Sequence, residues 1–333
     1  MSSPRAILVL GCGSIGERHL RCFQKTGRAV VAGCDTRADL RDRLASTYQV
    51  PVYDDFSAAL KDRTWDAVVV CVPAHLHIRC SLEAMQHGSC VFIEKPLAVT
   101  LDGVEELLAA ARATGRYHAV AYVYHAMPWI AAAREELRRG ELGRPLHVSM
   151  VAGQHFPTFR PAYREIYYTK HETGGGAIQD SLTHLVNAVE WMIGPVTRVF
   201  CDASHLMLEG VKVEDTVNLA ARHGEVLASY ALNQFQTPNE ATITIHCEHG
   251  SVKVESHRQT WAVQKRGEPQ WTEHPAPALE RDDIFIGQAH AFLDGMEGKP
   301  SPLATLEEAA QSLRVNLAAL RSISTGMPIT LHA

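Results

Sequence analysis

Three groups of residues in this 333-residue chain have the types and spacing to do chemistry. Glu94-Lys95-Pro96 closes the apolar run Cys90-Val91-Phe92-Ile93. A lysine at the carboxyl end of a parallel strand can donate to a hydroxyl or carbonyl oxygen and stabilise the negative charge that develops there. Gly174-Gly175-Gly176 precedes a stretch with helical apolar spacing, Ala177 to Ile193, in which Asp180 and His184 lie four apart and so share one face. Ile178, Leu182, Leu185, Val186, Val189 and Ile193 form the opposite stripe, which predicts that the acid and the imidazole point away from the core. A histidine titrating near neutrality is suited to take the proton from a hydroxyl. By themselves the two residues read first as a solvated polar face. The glycines favour chemistry, because they let backbone approach a ligand at the start of the helix.

The third group is Gly11-Cys12-Gly13-Ser14-Ile15-Gly16. It follows the apolar run Ala6 to Leu10, opens a helical stretch that stops at Gly27, and is followed by a second apolar run ending at Asp35, nineteen positions after Gly16. Strand, glycine turn, helix, strand and acid in that order are the fingerprint of a dinucleotide-binding unit. Gly11 would allow the tight turn, Gly13 the close approach of a pyrophosphate, and Gly16 the packing of helix on strand. Helix-start N–H groups, Ser14 and Ile15 included, would face the phosphates. Asp35 would accept from the ribose hydroxyls and repel a 2′-phosphate, which favours NAD over NADP. Arg37 keeps the NADP alternative open.

These groups need elements to hold them. The first third of the chain alternates strand and helix, with strands at 66–72 and 90–93, a helix near 76–87 closed by Gly88, a helix near 102–114 and a strand near 118–122. That rhythm predicts an α/β unit, a doubly wound parallel Rossmann sheet, over residues 1–123. From 124 to 333 the rhythm changes. After a helix near 128–139, strands at about 146–152, 197–208, 216–223, 226–236, 242–246 and 251–255 follow one another, with turns at His223-Gly224-Glu225 and Glu248-His249-Gly250. Consecutive strands joined by tight turns predict an α+β substrate domain built on a large, mainly antiparallel open sheet. Helices near 283–297 and 306–325 close the chain.

Composition narrows the partners. A formal charge of -5 without visible segregation argues against a nucleic-acid or membrane surface. No apolar run approaches membrane-spanning length, and Met1 to Arg5 leads into a strand and not into a signal-peptide core. Eight cysteines without a C-x-x-C pair suit a reducing cytoplasm. The histidines number eighteen, but pairs such as His75/His77 and His246/His249 lack further ligands at metal spacing, so no metal is expected.

The ordered set of the glycine turn, Pro73 with His77, Glu94-Lys95-Pro96, and Gly174-Gly175-Gly176 with Asp180 and His184 resembles the Gfo/Idh/MocA family of NAD(P)-dependent oxidoreductases. The likeness runs from the N-terminus through the final helices. It implies a dehydrogenase of sugars, sugar derivatives or cyclitols, and a homodimer or homotetramer. By resemblance Lys95, Asp180 and His184 form the catalytic trio: His184 as acid/base, Asp180 orienting it or binding a substrate hydroxyl, Lys95 linking cofactor and substrate. Val72, Pro73, His77, Glu94 and Lys95 line the nicotinamide half of the cofactor site. One departure stands out, since many relatives carry an asparagine and an arginine where this chain has Val123 and His125. The segment Phe159 to Arg164 is similar to one in relatives of polysaccharide and acidic-sugar synthesis. There Arg160 and Arg164, beside Tyr163, either clamp an acidic group or are two surface arginines. Two alternatives share the fold: glycoside cleavage through transient oxidation by bound NAD, and an NAD-binding protein without catalysis.

Overall fold

The computed structural model describes residues 3–331. The chain forms two compact units, one made of the stretch up to Ala126 with Leu279–Ala310, the other of Met127–Ala278 with the stretch from Gln311 onward.

The first unit alternates β1 (Arg5–Leu10), α1 (Ser14–Lys25), β2 (Ala29–Cys34), α2 (Ala38–Tyr48), β3 (Val52–Tyr53), α3 (Phe56–Asp62), β4 (Ala67–Val70), α4 (His77–Gln86), β5 (Cys90–Ile93), α5 (Val104–Thr114) and β6 (Ala119–Val120). Its six strands pair in the order β3-β2-β1-β4-β5-β6, every pair parallel. Helices cover both faces, so the central strands are buried throughout and read as unbroken apolar runs. Strand order reverses at β1 and β4. The carboxyl ends of β1, β4 and β5 therefore carry the glycine turn, Pro73 and Glu94-Lys95 to one edge, where open α/β sheets take their ligands.

The second unit contains α6 (Pro128–Arg138), β7 (Pro145–Gly153), α7 (Phe156–Phe159), α8 (Thr183–Ile193), β8 (Arg198–Ser204), β9 (Thr216–His223), β10 (Val226–Asn233), β11 (Glu240–Cys247), β12 (Gly250–Glu255), β13 (Thr260–Lys265) and β14 (Thr272–Pro275). After α9 (Arg281–Met296) and α10 (Leu306–Thr325) comes β15 (Ile329–Thr330). The sheet has nine strands in the order β14-β13-β12-β11-β7-β10-β9-β8-β15, antiparallel except for β7 beside β10. Alternation along β9 is strict, with Val217, Leu219, Ala221 and His223 buried and the residues between them turned outward. Asn187 of α8 donates to Ser312 and Asn316 donates to Thr183, which ties α8 to α10. The outward face carries Val151, Phe200 and Leu227, each 43–51% exposed.

A linear division at 123/124 leaves out the return of residues 279–310 to the first unit. α9 packs on α1 there: Phe292 stacks on Phe92 at 4.8 Å and meets Phe23 edge-on at 6.2 Å. Asp282 binds Arg21 at 2.7 Å and Arg18 at 3.3 Å. Periodicity shows that α9 has an apolar face but not which core that face covers.

Candidate active site

In the first unit the glycine turn has the geometry that a dinucleotide needs. Gly11 takes φ +88°, and a Cβ there would lie 2.7 Å from the Cys71 carbonyl. At Gly16 a Cβ would come within 1.8 Å of the Gly11 oxygen, so helix and strand meet backbone to backbone. Gly13 differs, with nothing within 4 Å of a Cβ position. It is also the N-cap of α1 and offers no side chain to the first-turn N–H groups. Open space before uncapped N–H groups fits a pyrophosphate. Ser14 is exposed beside it and Ile15 half-buried.

Asp35 leans back over this turn, accepting from Cys12 N (2.7 Å) through Oδ2 and from Arg37 N (2.9 Å) through Oδ1. Its carboxylate is thereby fixed at the end of β2, where a ribose would reach it. The exposed Arg37 guanidinium forks onto Asp39 at 2.6 and 3.1 Å. Arg41, which the spacing argument did not flag, donates to the carbonyls of Asp35 and Thr36.

At the ends of β4 and β5, Val72 is half-buried and Pro73 exposed. His77 is buried, with Nε2 2.8 Å from the Val72 carbonyl oxygen and Nδ1 2.9 Å from that of Pro96. It ties the two loops together, and burial lowers its pKa. Glu94 is buried, and its Oε1 lies 2.6 Å from His19 Nε2. Lys95 is half-buried, and the Lys95-Pro96 peptide is cis. His125 is 1% exposed, with Nδ1 2.8 Å from the Pro302 carbonyl oxygen.

In the second unit the helix holding Asp180 and His184 is not regular. A π-helical turn, Ile178–Leu182, precedes α8. Over Ile178–Leu182 the wider turn replaces the 3.6-residue repeat from which the shared-face expectation was drawn. Asp180 is buried, and its Oδ1 accepts from Tyr167 Oη at 2.6 Å. His184 is half-buried in the first turn of α8.

The glycines before this helix make room for protein atoms. Gly176 takes φ +90°, and a Cβ there would lie 2.5 Å from the Glu214 carboxylate. At Gly175 a Cβ would meet the Tyr168 carbonyl oxygen at 2.1 Å. Glu214 accepts from Ile178 N (2.9 Å) and pairs with His171 Nε2 (2.5 Å), which raises the pKa of that imidazole. It thus caps the helix start from 36 residues away in sequence. The close approach expected for a ligand is taken by this acid. No local spacing signals Glu214, His171 or Tyr167. His19 had a signal, its place in the apolar stripe of α1 with Leu20 and Phe23.

The segment Phe159 to Arg164 does not form one clamp. Tyr163 is 2% exposed in a small core with Phe156, Tyr168, Leu208, Val211 and Val213. It donates to the Glu209 carbonyl, as does Arg164. Arg160 is exposed, and its guanidinium donates to the Phe159 carbonyl.

Comparison with known proteins agrees with this geometry. Residues 5–122 match the model of an oxidoreductase family with an NAD-binding Rossmann fold, and residues 130–253 match the GFO/IDH/MocA C-terminal domain. An inositol 2-dehydrogenase of Pseudomonas savastanoi pv. phaseolicola is 31% identical over 86% of this chain and 85% of its own length. A 1,5-anhydro-D-fructose reductase of Ensifer adhaerens is 27% identical over 78% of each chain. Levoglucosan dehydrogenase, solved with NADH and levoglucosan, superimposes with a TM-score of 0.89 over 99% of this chain and 100% of that one, at 19% identity. With both family models in chain order and a curated relative aligned along most of its length, the chain belongs to the Gfo/Idh/MocA family of NAD-binding oxidoreductases.

Proposed function

We propose that this protein is an NAD-dependent dehydrogenase that oxidises a secondary alcohol, or reduces the matching ketone, of a sugar, sugar derivative or cyclitol. The observation that carries the reading is the glycine turn with Asp35 fixed across it. Beside it stand relatives named for inositol and anhydrofructose chemistry. When bound, NAD supplies the hydride acceptor or donor. Gly13, Ser14 and Ile15 hold its pyrophosphate, and Asp35 its adenosine ribose. Val72, Pro73, His77 and Glu94 shape the nicotinamide end, His77 by fixing the loops. His184 holds and releases the hydroxyl proton. Asp180, oriented by Tyr167, fixes the imidazole or a substrate hydroxyl. Lys95 donates to the substrate oxygen. His125 and Arg160 remain candidates for substrate contacts; Tyr163 and Arg164 act by shaping the loop.

Asp35 places a negative charge where NADP carries its extra phosphate, so NAD should bind at least tenfold more tightly, roughly 1.4 kcal/mol. The deciding experiment offers a panel of cyclitols, sugars and anhydrosugars with NAD and NADP in parallel, following NADH and product mass. NADH formation supports the reading. Product cleavage without net NADH would favour transient oxidation, and tight NAD binding without turnover a non-catalytic role.

The chain acts as a homodimer or homotetramer, with the outward sheet face carrying Val151, Phe200 and Leu227 covered by a second copy. Eight free thiols suit a cytoplasmic setting, and no helix among the described residues is long and apolar enough to cross a membrane.

A further inference from the structure

His19 has no part in the chemistry above, yet it is fully buried on α1 and touches the strand end that carries Lys95. Its Nε2 lies 2.6 Å from Glu94 Oε1, and Glu94 Oε2 accepts from the Lys95 main-chain N–H at 3.1 Å. The ring stands edge-on to Phe92 and Phe285, with centroids 5.5 and 5.6 Å away. Its other nitrogen, Nδ1, is buried and has no hydrogen-bond partner among the described residues.

That asymmetry assigns the proton. A hydrogen on Nδ1 would be a buried donor without an acceptor, a costly arrangement. With the hydrogen on Nε2, donor meets carboxylate and only a lone pair goes unused. His19 thereby fixes Glu94 without adding a positive charge. An arginine or lysine in its place would hold the carboxylate but cancel its field. What remains is an oriented anion at the end of β5, one strand from the point where strand order reverses.

The oxidised nicotinamide ring is a cation and the reduced ring is neutral. A fixed anion at that edge therefore binds the two forms unequally. We infer that the His19–Glu94 pair sets the relative affinity for oxidised and reduced cofactor, with His19 a positioning residue that acts through Glu94. This rests on the reading of the first unit as an NAD site with its nicotinamide end at Glu94.

Calorimetric titration of the intact protein with NAD+ and with NADH tests it. In Glu94→Gln and in His19→Leu the ratio Kd(NAD+)/Kd(NADH) should rise roughly tenfold, the scale of one partly buried unit charge near another. The double variant should shift no further than Glu94→Gln. His19→Gln, whose amide can still donate, should fall back toward the parent ratio. Should His19→Leu fail to give a cooperative thermal melt, His19→Asn takes its place, since its shorter amide cannot reach Glu94. A leucine or asparagine variant within about twofold of the parent ratio, beside a shifted Glu94→Gln, would overturn the role of His19. An unshifted Glu94→Gln would overturn the inference whole. A parent protein that binds neither nucleotide would instead overturn the cofactor reading on which it rests.

Discussion

At the scale of single residues, the roles divide by what each side chain does to a proton or a charge. His184→Ala should lower turnover roughly 10²–10⁴-fold, the usual worth of a general acid/base. NAD affinity should hardly change, because His184 lies outside the dinucleotide-binding unit. Lys95→Ala should reduce turnover and weaken cofactor binding together. Asp180→Asn keeps the shape and removes the charge, so steady-state kinetics on all three show which property matters. Normal turnover in His184→Ala beside inactive Lys95→Ala would make the lysine the acid/base. A different imidazole bears on acid stability. Burial lowers the His118 pKa from 6.5 to about 4, and its Nδ1 accepts from Val91 N at 3.1 Å. Below pH 6.5 the unfolded chain takes up a proton that the folded one refuses, so stability falls between pH 6.5 and about 4. The full loss from this residue is on the order of 3 kcal/mol. His118→Gln should flatten that part of the pH dependence, as measured by urea unfolding at pH 7 and pH 4.5; equal losses in both proteins would count against it.

At the scale of elements, two glycines of one turn should fail in opposite ways. Gly16→Ala forces a methyl against the Gly11 carbonyl oxygen 1.8 Å away, so it should destabilise the fold by more than about 2 kcal/mol. Gly13→Ala meets nothing within 4 Å and keeps an ordinary φ of -66°, so its melting temperature should match the parent while NAD binding weakens severalfold or more. A Gly13→Ala protein that binds NAD normally would remove the pyrophosphate from that space. This turn was legible in sequence because strand, turn, helix and acid are neighbours along the chain, and the same holds for the alternating strands β9 and β10. The start of the Asp180 helix was not legible. Its cap is Glu214, its acid is held by Tyr167, and its π-helical turn has the same apolar residues that an α-helix would use. Strands β13, β14 and β15 are not legible either, being short or polar at alternate positions, with β14 and β15 at the two sheet edges. Tyr163 shows the converse: a tyrosine in a segment with two arginines fits a binding loop or a core equally well in sequence, and its packing with Phe156 and Tyr168 decides.

At the scale of the molecule, the outward face of the nine-stranded sheet predicts assembly. Light scattering at micromolar concentration should give a particle of at least twice 36.7 kDa. Val151→Arg combined with Leu227→Arg should shift it toward the monomer; a parent protein already at 36.7 kDa would refute the proposal. The chain also passes from the first unit to the second, back again for residues 279–310, and out once more. During synthesis this imposes an order. When residue 126 leaves the ribosome all six parallel strands exist, but Phe23 and Phe92 still lack Phe292, which arrives more than 150 residues later. The nascent half must wait with an aromatic seam open, a natural foothold for a chaperone. A fragment ending at residue 126 should therefore bind a hydrophobic dye and melt without cooperativity. A synthetic peptide spanning residues 279–304, supplied in trans, should restore a cooperative transition, because the residues that complete the nucleotide-binding half follow Met127–Ala278 of the other unit.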